Sequence, residues 1–192
     1  MYQEIENFER RLESLKMQLE SAGIDTSKFG QGEAKTLAHL QKEIDAGESV
    51  LLVNENGELL RTVEGSKAHV FYSSPEGKLF KLKELKQIFK DGRERVRDYL
   101  PQSVSEKMVP GEDPISVMKR GLQEELGIDG SIDLQEKETQ KQLKKSPSYP
   151  GLQSQYINHM FEVFLTDNQF KQEGYQEVQE DKTTYFIWEE VK

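Results

Sequence analysis

Between Pro110 and Ile128 the chain reads PGEDPISVMKRGLQEELGI, and no other stretch restricts its fold so tightly. Asp113 is a good N-cap, Pro114 suits the first helical position, and Gly127 can take the left-handed conformation that ends a helix. These signals predict a helix over about 114–126. Ile115, Met118, Leu122 and Leu126 recur every three or four residues and form its expected buried stripe. Arg120, Gly121, Glu124 and Glu125 then share the remaining face, so two adjacent carboxylates stand beside a bare glycine.

Two carboxylates can be enough for a hard cation. Mg2+ takes oxygen ligands in a near-octahedral set and keeps several waters, so a protein often supplies only one or two carboxylates and the substrate's phosphates supply more. A glycine inside a helix costs about 1 kcal/mol relative to alanine, so Gly121 calls for a reason such as close backbone approach or room for a ligand. The bland reading of the same residues is an ordinary capped amphipathic helix with a solvated acidic face.

The stretch resembles the signature of the Nudix hydrolase family, G-x5-E-x7-R-E-U-x-E-E-x-G-U with U a bulky aliphatic residue. Glu112 matches the isolated glutamate, and seven residues separate it from Arg120. Leu122 matches the first U, Glu124 and Glu125 the acid pair, and Gly127 and Ile128 the close. Two positions depart: Glu106 stands where the family has glycine, and Gly121 where it has the glutamate after the arginine. The resemblance implies an α/β/α sandwich with a mixed sheet, and Mg2+ or Mn2+ held by Glu124 and Glu125. It also implies cleavage of a diphosphate linkage in a nucleoside diphosphate derivative, with Glu112 and Arg120 bracing the site. Glu106, close in sequence to Glu112, is the first candidate to replace the acid missing at 121; Glu173, Glu177 and Glu180 in a late acidic loop are weaker ones. The competing expectation is a catalytically degenerate module that binds a nucleotide or a protein partner.

Composition sets wider bounds. A chain of 192 residues fits one ordinary domain plus an appendage. No run is long enough for a membrane span and the first residues read as a charged helix, so a cytoplasmic protein is expected. With no cysteine, disulfides and thiol catalysis are excluded, and three scattered histidines (His39, His69, His159) make a structural zinc site unexpected. A formal charge of -9 argues against broad binding to nucleic-acid backbones.

Residues 1–48 read as a helical extension and 49–192 as the Nudix-like domain. In the extension, Ile5, Phe8, Leu12, Leu15, Leu19 and Ala22 alternate spacings of three and four, a seam of about three heptads. It is open between a coiled coil that makes a homodimer through residues 2–23 and a helix laid back on the domain. Residues 33–46 read as a second helix. Strands are expected at 50–53 and 58–63 around the turn Asn54-Glu-Asn-Gly57, at 68–72 and 78–82, at 156–165 and at 183–191, the last with Trp188. Residues 85–90 and 131–143 are ambiguous, 93–100 look extended, and 167–181 read as an acidic loop. Tyr149, in Ser148-Tyr-Pro-Gly-Leu152, and Tyr156 are candidate walls of a ligand pocket, against the plainer reading of Tyr149 as a lid on the core.

Overall fold

The computed structural model describes residues 2–191 of this α/β chain. The chain divides into two compact units. One gathers the residues up to Glu64 with Met108–Gly111 and Gln140–Ile157, and the other gathers Gly65–Lys107, Glu112–Thr139 and Asn158 onward.

The first unit holds α1 (Tyr2–Ser21), a 3-10 turn at Thr26–Lys28, α2 (Leu37–Asp45), β1 (Val50–Val53) and the first part of β2 (Leu59–Ser73). Thr36 caps α2 by accepting from the His39 amide, so the helix starts four residues later than the sequence pattern suggests. Leu15 and Leu19 of α1 are buried with Leu40, Leu59, Tyr149 and Leu152. Two positions of the heptad seam are thus spent inside the chain, while Ile5 is exposed. Glu43 and Arg61 form a buried ion pair at 2.8 Å, and Arg61 Nε also donates to Ser49 Oγ at 3.0 Å. This ties α2 to β2, because removing one member leaves a buried charge uncompensated.

The second unit carries the rest of β2, then β3 (Leu79–Phe89), β4 (Glu94–Val96), β5 (Val104–Lys107) and α3 (Pro114–Leu126). It continues through β6 (Asp133–Lys145), β7 (Gln153–Leu165), β8 (Tyr175–Val178) and β9 (Lys182–Glu190), with β6 and β7 also giving residues to the first unit. The sheet order is β6-β7-β2-β3-β9-β8, with β5 joined to β2 and β4 to β3. Its core includes Val70, Leu82, Val104, Met118, Leu122, Phe161, Val163 and Phe186. Each such buried side chain stabilises the unit by roughly 1.5–3 kcal/mol relative to exposure.

The two expected strands at 58–63 and 68–72 are one continuous strand, because Glu64-Gly-Ser-Lys67 stays extended and its second half pairs with β5. Residues 85–89 continue β3 and 133–145 form β6, so strand takes up most of both ambiguous segments. Of the extended stretch at 93–100 only Glu94–Val96 is strand, and the acidic loop contains β8. The short β5 went unforeseen, since four residues reading Val-Ser-Glu-Lys carry too little periodicity to announce a strand.

Candidate functional site

Helix α3 forms where its caps demand. Asp113 Oδ2 accepts from the Ser116 amide at 2.9 Å, Pro114 opens the helix, and Gly127 ends it at φ 65°. Met118, Leu122 and Leu126 are buried as expected, but Ile115 is 36% exposed and Val117 takes its place in the core. The stripe is rotated because Gly121 is buried too, packed against β5 rather than facing open space.

That packing accounts for the glycine. A Cβ at residue 121 would lie 3.1 Å from Glu106 Cβ and 3.3 Å from Val104 Cγ1, tighter than ordinary contact. In β2, the strand paired with β5, a Cβ on Gly65 would stand 2.9 Å from the Glu106 carbonyl oxygen. Two glycines thus let β5 lie close to both β2 and α3. The Glu106 side chain occupies the space over α3 that a side chain at 121 would fill.

Arg120 gathers the acids on this face. Its Nη1 donates to Glu112 Oε1 at 2.6 Å, and its Nη2 donates to the Lys107 carbonyl at 3.2 Å and to Glu106 Oε1 at 3.4 Å. The hydrogen bond that Arg120 donates to Glu112 raises the Arg120 pKa further, holding the guanidinium charged. Glu124 is exposed, whereas Glu125 is half-buried and its Oε1 accepts from the Ser105 amide of β5 at 3.2 Å. Burial pushes the Glu125 carboxyl up to about 8; the Ser105 amide opposes this, and the charges of Glu177, Glu106 and Glu84 add to it.

Glu106, Glu124 and Glu125 line one cleft of about 290 Å³ in the second unit, whereas Glu112 does not line it and Arg120 lines a different hollow. Glu106, Glu124 and Glu125 meet there with Glu84 of β3, Arg97, Glu177 of β8 and Lys182 of β9. Of the late-loop acids only Glu177 lines it; Glu173 and Glu180 line other hollows. Carboxylates crowded around Glu125 closely enough to help raise its pKa are a donor set suited to a hard cation, which would relieve the repulsion. Among the described residues no group of three acid or histidine side chains gathers closely enough to form a full protein cage. Two glutamates completed by waters and phosphate oxygens remain within the way Mg2+ is commonly held.

Tyr149 and Tyr156 belong to the first unit and not to this cleft. Tyr149 is fully buried, with the Arg61 guanidinium 5.0 Å from its ring centroid and Phe29 at 5.5 Å. It offers no surface to a ligand, which corrects the expectation of a pocket wall; the anchor at Arg61 and the surrounding leucines draw it into the core. Tyr156 is half-buried, with Lys144 Nζ 4.9 Å from its ring centroid. Glu84 and Arg97 were missed by sequence reasoning. The available signal was Glu84 itself, an acid two residues after Leu82 and so on the buried face of its strand.

No family model and no curated protein matches the chain. Among solved structures it is similar to a C. elegans Ap4A hydrolase in a binary complex, at 14% identity over 66% of this chain and 79% of that one, with a TM-score of 0.38. It is similar also to the Nudix domain of Shewanella oneidensis NrtR complexed with ADP ribose, at 10% identity over 66% and 71%, TM-score 0.39. A third is the Nudix hydrolase RenU from M. smegmatis, at 13% identity over 61% and 69%, TM-score 0.34. Nudix proteins are thus among the structures this chain is similar to. No helix among the described residues is long and apolar enough to cross a membrane.

Proposed function

We propose that the chain is a Nudix-type hydrolase of the cytoplasm, cleaving a diphosphate linkage in a nucleoside diphosphate derivative with Mg2+ or Mn2+. In this reading Glu106 supplies from β5 the acid that position 121 lacks. The observation that carries it is the packing of Glu106 over Gly121, with Glu106 Cγ 3.6 Å from where a Cβ at 121 would stand. Glu124 and Glu125 would hold the cation. When bound, the cation supplies charge stabilisation of the phosphate oxygens and a lowered pKa for bound water.

The chain's own residues do the rest. Arg120 bridges Glu112 and Glu106, which keeps the loop before α3 and strand β5 in register with the acid pair. Glu106 accepts the proton of the attacking water on its carboxylate while that water's oxygen bonds to phosphorus and the bridging P–O bond breaks. Arg97 and Lys182 oppose the substrate's negative charge from the same cleft.

A phosphate-release screen over nucleoside diphosphate-linked compounds with Mg2+ or Mn2+ tests this. The parent is expected to turn over at least one compound, and Glu106→Gln and Glu125→Gln to lose about a hundredfold or more in kcat, as for removal of a proton-transfer group. A silent parent, or full activity in Glu106→Gln, defeats the reading.

A second reading is a nucleotide-binding or partner-binding module without hydrolysis. One observation favours it: Glu106 is ion-paired to Arg120, at 3.4 Å, so its carboxylate already serves a bracing contact. A homodimer through residues 2–23 belongs to the same reading and would use Ile5, Phe8 and Leu12, the seam positions of α1 that are not fully buried.

A further inference from the structure

Strand β1 keeps one edge without a partner. Its register with β2 runs Val50↔Thr62, Leu51↔Arg61, Leu52↔Leu60 and Val53↔Leu59, and in the turn that follows the Asn54 amide donates to the Glu58 carbonyl at 2.9 Å. Hydrogen-bonded positions alternate along an antiparallel pair, so Asn54, Leu52 and Val50 aim their backbone groups at β2 while Val53, Leu51 and Ser49 aim theirs away. Helix α2 covers the last of these, because the Ser49 amide donates to the Glu43 carbonyl at 3.1 Å. Among the described residues no hydrogen bond reaches the backbone of Leu51 or Val53 from that side. Leu52 and Val53 are 51% and 65% exposed, and the strand reads Val-Leu-Leu-Val, without the lysine, proline or bulge that commonly blunts an edge.

A hollow of about 440 Å³ lies beside this edge within the first unit, lined by Leu51, by Ser14, Leu15 and Gln18 of α1, and by Gln41 and Ile44 of α2. Arg11 also lines it, and both Arg11 and Gln41 donate to Asp45, at 3.2 and 2.9 Å, so the arginine's charge is met within the chain. The surrounding sequence is one-sided in charge. Residues 43–60 carry five acids and no lysine, arginine or histidine. Glu43 is paired with Arg61 and Lys35, and Asp45 with Arg11; the other three are Glu48 before β1 and Glu55 and Glu58 after it. Two copies of β1 laid edge to edge would bring these acids together in chains that each carry a charge of -9, which disfavours self-pairing.

We propose that the β1 edge and the hollow beside it form a docking groove for an extended peptide segment of a partner protein, apolar at its centre and basic at both ends. The segment adds a strand to β1, exchanging backbone hydrogen bonds with Leu51 and Val53, and such main-chain bonds supply affinity whatever the side chains are. Leu51 packs toward Leu15 and Leu40, so every second side chain of the added strand is sent to the α1 side, where the hollow takes one against Leu15 and Ile44. The basic ends meet the acids that flank β1, which sets the choice of partner. The groove is independent of the hydrolase reading, since its residues all belong to the first unit and none lines the acidic cleft.

The test uses the full chain and a capped peptide, Lys-Thr-Val-Leu-Val-Thr-Lys, followed by amide hydrogen exchange and by titration calorimetry. Without peptide, the Leu51 and Val53 amides are expected to exchange about tenfold or more faster than that of Leu52, which β2 holds. Saturating peptide should slow both by about tenfold or more and change Leu52 little. N-methylation of alternate peptide residues should abolish binding in one phase and spare it in the other, because only one row of amides faces the edge. Binding should weaken about tenfold when both lysines become glutamates, when Ser14→Trp fills the hollow, and when Val53→Pro removes an edge donor. Ser14 and Val53 are exposed, and proline is tolerated where the missing N–H faces solvent. A protected Leu52 amide in each variant shows that β1 still pairs with β2. No binding up to about 1 mM, unchanged exchange at Leu51 and Val53 on binding, or equal binding by the glutamate peptide overturns the groove. So does a doubled mass with both amides protected before peptide is added, which would give the edge to a second copy.

Discussion

Replacing Glu125 by glutamine should make the protein more stable, and increasingly so as the pH rises. The carboxyl ordinarily titrates at 4.5 and is pushed up to about 8 in the folded protein, chiefly by burial. The folded state therefore binds the proton more tightly than the unfolded state does. Its contribution is fully present below pH 4.5, declines between 4.5 and 8, and is lost above 8. At about 1.36 kcal/mol per unit, ionising Glu125 costs up to about 3 kcal/mol at pH 7 and about 5 kcal/mol above pH 8. Glutamine keeps the shape and carries no charge. Urea denaturation of the parent and of Glu125→Gln at pH 5, 7 and 9 reads out this residue together with its coupling to Glu177, Glu106 and Glu84. The stability gap should be small at pH 5 and several kcal/mol at pH 9. Millimolar Mg2+ should narrow it in the parent by favouring the ionised carboxylate. A gap that does not change between pH 5 and pH 9 would refute the buried, charge-crowded environment assigned to Glu125.

Gly121→Ala sets two effects against each other: a gain of about 1 kcal/mol in helix propensity and an overpacking cost of about 1–3 kcal/mol against Glu106 and Val104. A net loss of about 1 kcal/mol is expected by thermal or urea unfolding, and a gain of the full propensity term would show that β5 moves away without resistance. For assembly, Ile5→Asp combined with Leu12→Asp should reduce a dimer to a monomer by light scattering while leaving the melting temperature within a few degrees. A monomeric parent would remove the dimer.

The sequence by itself determined α3 and the charged residues it carries. Capping is local, so Asp113, Pro114 and Gly127 declare the helix ends wherever the chain goes, and helical periodicity places Arg120, Glu124 and Glu125 on related faces. Tertiary structure alone decided why residue 121 is glycine, because the answer lies in Val104 and Glu106 on a four-residue strand whose pairing with β2 involves residues some forty positions away. It also decided that Glu84 and Arg97 share the cleft, since Arg97 is brought to β3 by its amide's hydrogen bond to the Leu85 carbonyl, a contact that no local periodicity announces. Tyr149 turned inward for the same kind of reason: its neighbours Arg61 and Phe29 come from distant segments, and burial is settled by what packs against a residue, not by the turn that carries it. Local rules could name the acids at the site, and only the fold could say which of them meet.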